Sequence, residues 1–113
     1  GTVLRSDRSE KALLAEMRES IDLIAVYIAG LSNETFATDD LRRDATAYRL
    51  LIIGEAARLL PTAIKGRLPE LDWRGMVSLR HRLAHDYGST NYDVLWAVAS
   101  VDIPALTDAL ATL

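Results

Sequence analysis

The sequence of 113 residues contains no cysteine, which excludes a disulfide framework and a thiolate metal site and fits a reducing, cytoplasmic setting. It also contains no apolar run of the roughly 18 to 20 residues that a membrane helix needs. The N-terminus lacks the apolar segment of a signal peptide. A formal net charge of −3 argues against a broad basic surface of the kind that binds nucleic acids non-specifically. Any contact with a polyanion is therefore expected to be local.

The length favours one domain over residues 1–113, with residues 1–6 expected to be a poorly ordered or expression-derived N-terminus. Apolar residues recur at helical spacing, and the chain shows no strand-like alternation with hairpin turns. The pattern predicts four long helices and one short connecting helix. We therefore expect an all-α fold, an antiparallel four- to five-helix bundle.

The first two predicted helices each carry an apolar stripe. The stripe of the first helix, which is expected to end near Gly30, consists of Leu14, Met17, Ile21, Ile24, Ile28 and Leu31. The second helix is expected to begin in the acidic segment 38–40, because negative charge favours an N-terminal turn, and to end near residue 60. Its stripe consists of Leu41, Ala45, Tyr48, Ile52 and Leu59. Glu55 interrupts this second stripe and is therefore a candidate functional group.

The second half of the chain predicts a short connecting helix before Pro69 and two further long helices. The third is expected to begin near residue 71 or 72 and to stop at Gly88. Its predicted buried residues are Trp73, Met76, Val77, Leu83 and Ala84. Thr90 and Asp93 fit a capping box that would open the fourth helix, and Pro104 is expected to kink or restart it. The predicted buried residues of this helix are Val94, Leu95, Val98 and Val101.

The segment 80–87, which reads Arg-His-Arg-Leu-Ala-His-Asp-Tyr, carries most of the chemistry of the chain. The Arg80 guanidinium offers a planar fork that suits phosphate oxygens, and His85 carries an imidazole, the side chain that proteins most often use for proton transfer. These groups suit RNA phosphodiester cleavage without a metal. His81 and His85 have a spacing that permits shared metal coordination, but no third ligand stands in a recognised pattern, so no metal site is expected.

Helical geometry raises a problem for Arg80 and His85. On an ideal helix these residues lie about 140° apart, whereas Arg80 and Tyr87 lie only about 20° apart and are expected to share a face. Arg80 continues a buried stripe, so a bidentate pair with Glu55 is the expected way to orient it. For His85 there are two alternatives: the helix unwinds near residues 86–88, or a two-fold dimer joins the Arg of one subunit to the His of the other. We favour the dimer with a composite cleft.

The pattern R-x-x-x-x-H-x-Y at the end of a bundle helix resembles the signature of the HEPN superfamily, and more closely its HepT toxin branch. Support extends through residues 53–57, 68–74, 80–87, 93–96 and 102–104, so the resemblance covers most of residues 10–113. Several ordered blocks of this kind are specific, whereas the spacing of Arg80 and His85 alone arises often by chance. Gly88 stands where relatives frequently carry an aromatic residue, so a substrate contact at that position is not carried over.

The resemblance implies a metal-independent endoribonuclease that acts as a homodimer and as the toxin of a toxin-antitoxin pair, with RNA as its substrate, no cofactor for cleavage, and no role for DNA or a membrane. Its partner would be a minimal nucleotidyltransferase antitoxin that uses ATP to transfer AMP to a tyrosine, here Tyr87. Carried over, Arg80 and His85 are the catalytic pair. The supporting residues would be Glu55, His81, Arg82 and Asp86.

In the expected mechanism, His85 removes the proton of an RNA 2′-hydroxyl while Arg80 stabilises charge on the phosphate, which predicts resistance to chelators. The alternative is a non-catalytic helical subunit that binds nucleotides or recruits a nucleotidyltransferase, in which the same residues bind phosphate. A third interpretation, a purely structural adaptor, predicts that Arg80, His85 and Tyr87 tolerate substitution.

Overall fold

The structure is a computed structural model that describes residues 9–113, so the expectation for residues 1–6 lies outside the described residues. Helix α1 spans Glu10–Ile28 and is capped by Ser9, whose side chain accepts a hydrogen bond from the Ala12 amide at 3.1 Å. The buried face of α1 includes Met17, Ile21 and Ile24, as predicted. The chain leaves the helix through Gly30, whose φ of 79° is in the left-handed region that glycine adopts without strain.

A short helix that the sequence did not predict, α2, spans Asn33–Thr38. Ser32 caps it, and Thr35 completes a capping box by accepting from the Ser32 amide at 2.7 Å. The apolar anchor of α2 is Phe36, which is fully buried with its ring centroid 5.3 Å from that of Trp96. Tertiary burial of one aromatic ring therefore stabilises a segment that has no apolar periodicity of its own.

Helix α3 spans Asp40–Leu59, close to the predicted bounds. Its predicted buried stripe is wrong, because Leu41 is 81% exposed and Tyr48 is 57% exposed. The face that the bundle buries instead carries mostly small or medium-sized residues, namely Arg43, Thr46, Ala47, Leu50, Ile53, Gly54, Ala56 and Ala57. Small side chains let neighbouring helices approach closely, so this second stripe faces the core.

After the short helix α4, Thr62–Gly66, helix α5 spans Trp73–His85. Asp72 caps α5 by accepting from the Gly75 amide at 2.9 Å. The helix ends three residues before the predicted stop at Gly88, because Asp86 takes a non-helical conformation and a 3-10 turn follows over Tyr87–Ser89. Ala84, which was predicted to be buried, is exposed, whereas Leu79 and Leu83 are buried.

The C-terminal part consists of α6, Tyr92–Ala97, a wide π-helical turn over Val98–Asp102, and α7, Ile103–Leu110. The predicted capping box is wrong by one residue, since Asn91 caps α6 by accepting from the Asp93 amide at 2.8 Å. Pro104 lies in the first turn of α7, where a missing amide proton is tolerated, so the predicted restart is confirmed. Val94 and Val101 were predicted to be buried but are exposed.

The described residues form an all-helical bundle without strands, as predicted. Helix α3 lies between α1 and α5, α2 joins α3 to α6, and the C-terminal segment closes against α1. Arg18 strengthens this closure by donating to the Leu110 carbonyl at 3.2 Å. None of the described helices is long and apolar enough to cross a membrane.

Candidate functional site

Arg80 is held where α5 crosses α3. A side chain at Gly54 would place its Cβ only 2.6 Å from the Met76 carbonyl oxygen and would also meet the Arg80 stem, so glycine permits this close crossing. The Arg80 Nε lies 3.1 Å from Glu55 Oε1, and the predicted ion pair between these residues is therefore present. Since the arginine side chain is 28% exposed, it has both a fixed stem and an open end.

The expected bidentate geometry between Glu55 and Arg80 is wrong. Arg58 takes that role, with its Nε donating to Glu55 Oε1 at 3.1 Å and its Nη2 donating to Oε2 at 2.7 Å. Arg80 approaches Oε1 from a second side without hydrogen-bond alignment, so the contact is an ion pair. Arg58 wins the bidentate position because it stands one turn away on the same helix. Among the described residues no hydrogen bond joins the Arg80 Nη atoms to the protein, so these atoms can donate to an anion.

His81 and His85 stand together on the exposed face of α5, with ring centroids 4.5 Å apart and planes tilted by 47°. The helix unwinds at Asp86, as the first alternative expected, but α5 is regular through His85, so this unwinding does not bring His85 toward Arg80. The angular separation of about 140° between Arg80 and His85 therefore holds within one chain. One subunit does not bring the two groups onto a common face.

Tyr87 is part of a separate polar cluster. Its hydroxyl donates a short hydrogen bond to Asp44 Oδ1 on α3, and Arg43 Nε lies 3.4 Å from the same oxygen. Burial, together with the hydrogen bond to Asp44, raises the pKa of Tyr87 to about 12, while Arg43 acts in the opposite direction. Arg43 is itself buried, with its guanidinium 4.1 Å above the Tyr92 ring. This cluster anchors the chain just after α5 to the start of α3.

The expectation that Arg80 and Tyr87 share a helix face is wrong, because α5 ends before Tyr87. The partners of the two residues on α3, Glu55 and Asp44, are 55 − 44 = 11 residues apart, which corresponds to about three turns and roughly 16 Å. Asp44 and Glu55 therefore project from nearly the same side of α3, at different levels. Helices α3 and α5 run antiparallel. Asp44, near the start of α3, therefore contacts Tyr87, and Glu55, near the end of α3, contacts Arg80.

Arg82 and Asp86 lie on the opposite flank of α5 from Arg80. Both line a cavity of about 220 Å³ that is completed by Leu79, Ser89, Thr90, Asn91 and Val94. They are not in the group formed by Arg80 and Glu55, although Arg82 precedes His85 by one turn. Their predicted supporting roles stay predictions.

The sequence did not identify Asp44, Arg43 or Tyr92 as site residues. One signal was present, since Arg43 occupies a buried stripe of α3, where a charged residue requires partners. Asp44 gives no such signal, because it lies in a polar segment and only the tertiary contact with Tyr87 shows its role.

The charge of the site is local, as expected. Helix α5 contains Arg74, Arg80 and Arg82 and no acidic residue, whereas the whole chain carries a net charge of −3. Arg82 and His85 lie in its last turn, where the helix dipole favours positive charge. No group of three or more potential metal ligands is found in the part of the chain that the structure describes.

Comparison with known proteins gives consistent matches. Residues 17–113 match the family model described as Ribonuclease HepT-like. The chain is 36% identical to "Probable ribonuclease HepT" of Thermococcus cleftensis over 99 residues, which cover 88% of this chain and 90% of that protein. It is 31% identical to "Putative RNase MJ1380" of Methanocaldococcus jannaschii over 101 residues, which cover 89% of this chain and 93% of that protein. No solved structure gives a significant match.

Proposed function

Because the chain belongs to the HepT-like ribonuclease family, we propose that it is a metal-independent endoribonuclease whose active cleft forms between two copies of the chain. This proposal rests on the observation that Arg80 and His85 lie on different sides of α5. Arg80 is held on the side that meets α3, with its terminal nitrogens free, and His85 stands on the exposed side. A second subunit related by a two-fold axis supplies each cleft with the group that its own chain directs elsewhere.

The exposed stripe of α3 supports a second copy as the occupant of this surface. Leu41 and Tyr48 are large, exposed and in line with Glu55 along the helix, so the apolar surface borders the Arg80 pair. Isolated apolar side chains on a surface need no explanation, but a stripe that continues into a charged site fits an interface. Burying it in a dimer places the Arg80 side of one copy beside the partner.

The proposed cleavage follows from the chemistry of these groups. His85 takes the proton of the RNA 2′-hydroxyl, the 2′-oxygen forms a bond to phosphorus, and the bond from phosphorus to the 5′-oxygen breaks. Arg80 of the other subunit stabilises the negative charge on the non-bridging oxygens, and the His81 imidazole of that subunit protonates the leaving oxygen. The products are a 2′,3′-cyclic phosphate and a 5′-hydroxyl. DNA lacks the attacking group and is not cut.

We further propose that the chain is the toxin of a toxin-antitoxin pair, controlled by a minimal nucleotidyltransferase that uses ATP to attach AMP to Tyr87. Tyr87 lies two residues after His85, just beyond the basic end of α5. A nucleotide attached there adds bulk and negative charge beside the cleft, and both oppose entry of an RNA backbone.

Cleavage of single-stranded RNA by the purified chain tests the nuclease proposal. Activity in the presence of a chelator, loss with His85→Ala and Arg80→Ala, and retention with Arg74→Ala are expected. Arg74 is the matched control, because it is an exposed cation on the same helix. Binding of nucleotides without cleavage by the wild-type chain contradicts the proposal and favours the non-catalytic recruiting subunit.

Mixing Arg80→Ala with His85→Ala tests the shared cleft. Random pairing gives one half heterodimers, and each of these has one intact cleft of two, so about one quarter of wild-type activity is expected to return. Two sites that each lie within one chain give no recovery. Native mass spectrometry of differently tagged copies shows whether heterodimers formed.

A further inference from the structure

The hydroxyl of Tyr87 lies between a carboxylate and a fixed guanidinium. Asp44 Oδ1 accepts the hydroxyl hydrogen, and Arg43 Nε is 3.4 Å from the same carboxylate oxygen. Arg43 is held in place from two other sides, because its Nη1 donates to the Ala37 carbonyl at 2.7 Å and its guanidinium stacks on Tyr92. The Asp44 side chain is 53% exposed, so a proton that it accepts can pass to solvent.

The groups around the Tyr87 hydroxyl determine how readily this phenol reacts. Burial and the hydrogen bond to Asp44 raise the pKa of Tyr87 to about 12, so almost no phenolate exists near neutral pH. A phenol in that state attacks an electrophile only if its proton is removed as the new bond forms. In protein kinases an aspartate accepts the proton of the substrate hydroxyl in this way. In this structure the Asp44 carboxylate already accepts the hydrogen bond of the Tyr87 hydroxyl.

We infer that Asp44 is the general base, and Arg43 the charge-stabilising group, for nucleotidyl transfer onto Tyr87. The inference rests on the proposed function, since it assumes that Tyr87 is the acceptor of AMP. The Tyr87 oxygen forms a bond to the α-phosphorus of ATP, and the bond from that phosphorus to the pyrophosphate oxygen breaks. The phenolic proton passes to the Asp44 carboxylate and then to water. The acceptor protein thus supplies its own base.

The first experiment measures the rate of AMP transfer to the chain by a cognate nucleotidyltransferase with Mg²⁺ and ATP. Asp44→Asn is expected to slow transfer by about 10²- to 10³-fold, as loss of a general base does. Asp40→Asn is the matched control, because Asp40 also pairs with Arg43, at 3.1 Å, but is 83% exposed and does not contact Tyr87. It is expected to change the rate by no more than about twofold. Equal rates for the two variants overturn the inference.

The pH profile separates a base from a merely structural residue. With Asp44 present, the transfer rate is expected to be flat between about pH 7 and 9, because removal of the phenolic proton then does not depend on hydroxide. In Asp44→Asn, hydroxide must remove the proton, so the rate is expected to rise about tenfold per pH unit below the pKa of Tyr87. A flat profile in this variant overturns the inference. RNA cleavage and thermal unfolding of both unmodified variants report whether the fold is kept.

A second experiment needs no nucleotidyltransferase. An aryl sulfonyl fluoride reacts with a tyrosine when the phenol oxygen attacks sulfur, fluoride leaves and a base takes the proton. Peptide mass spectrometry gives the labelling of Tyr87 relative to Tyr27 on α1, which is partly exposed, lies outside the stripe assigned to the dimer and serves as an internal reference. The ratio is expected to fall at least about tenfold in Asp44→Asn and to stay unchanged in Asp40→Asn.

The two experiments distinguish two kinds of failure. Wild-type chain that accepts no AMP, but shows Asp44-dependent labelling of Tyr87, contradicts the proposed control by an antitoxin and supports the activation of this phenol. Labelling of Tyr87 that is the same in both variants overturns the role of Asp44, whether or not AMP is transferred.

Discussion

Substitution of Gly54 by alanine tests the close crossing of α3 and α5 that positions Arg80. The added Cβ would lie 2.6 Å from the Met76 carbonyl oxygen and closer still to the Arg80 Cβ, whereas ordinary contact begins at 3.4 Å, so the helices must separate by at least about 0.8 Å (3.4 − 2.6). Overpacking of this kind costs about 1–3 kcal/mol. Alanine regains roughly 0.5–1 kcal/mol in a helix interior. We therefore expect the free energy of unfolding to fall by about 1 kcal/mol, and by no more than about 2.5 kcal/mol.

Gly66→Ala is the matched control, since a Cβ at this helical glycine meets nothing within 4 Å. It is expected to leave stability unchanged or to raise it by up to about 1 kcal/mol. Urea unfolding followed by circular dichroism compares the two variants. Gly54→Ala is also expected to reduce RNA cleavage under conditions where it is fully folded, because Arg80 shares the crossing. Equal stability of the two variants would refute this account of the crossing.

Three further predictions concern the charged groups. Glu55→Gln removes the carboxylate that orients Arg80 and is expected to lower kcat for RNA cleavage, whereas Arg58→Gln is expected to keep it; equal losses would contradict the orienting role. The raised pKa of Tyr87 stabilises the fold below about pH 10, and this contribution is lost as pH rises toward 12, so the difference in urea midpoint between wild type and Tyr87→Phe is expected to shrink over that range and not below it. Binding of single-stranded RNA by His85→Ala is expected to show a shallow salt dependence, with a log-log slope of about −1.4 per subunit for Arg80 and Arg82, and a slope steeper than about −5 would indicate a wider basic surface.

The sequence predicted the long helices and the short connecting helix α4, but it missed α2. Helix α1 carries periodic apolar residues over several turns, which is a strong signal. Helix α2 has only Phe36 as an apolar anchor, and the burial of that ring against Trp96 depends on the fold as a whole. Helix ends were also misplaced, because Asn91 and Thr90 are both acceptable caps and tertiary packing selects between them.

The candidate site was predictable where a residue breaks a pattern. Glu55 interrupts an apolar stripe, and this irregularity was the basis for predicting its ion pair with Arg80, which the structure contains. The competition from Arg58 was not predictable, because a partner one turn away and a partner on another helix look equally suitable in sequence. Asp44 was missed for a related reason, since an acidic residue in a polar stretch of helix usually faces water and gives no sign of a tertiary partner.

The predicted and the observed buried faces of α3 differ, and the face that was wrongly predicted to be buried borders the candidate site. Two apolar stripes compete on this helix, and the bundle buries the one with small residues because Gly54 and Ala57 permit close packing with the neighbouring helices. The large residues Leu41 and Tyr48 then remain in water, which is unfavourable for an isolated chain. Positions where the apolar pattern of the sequence predicts burial but the fold leaves the side chains exposed are often functional surfaces. Asp44, which contacts Tyr87, projects from this same side of α3. A partner that covers Leu41 and Tyr48 would therefore also lie beside Arg80, proposed for cleavage, and Tyr87, proposed as the site of AMP attachment.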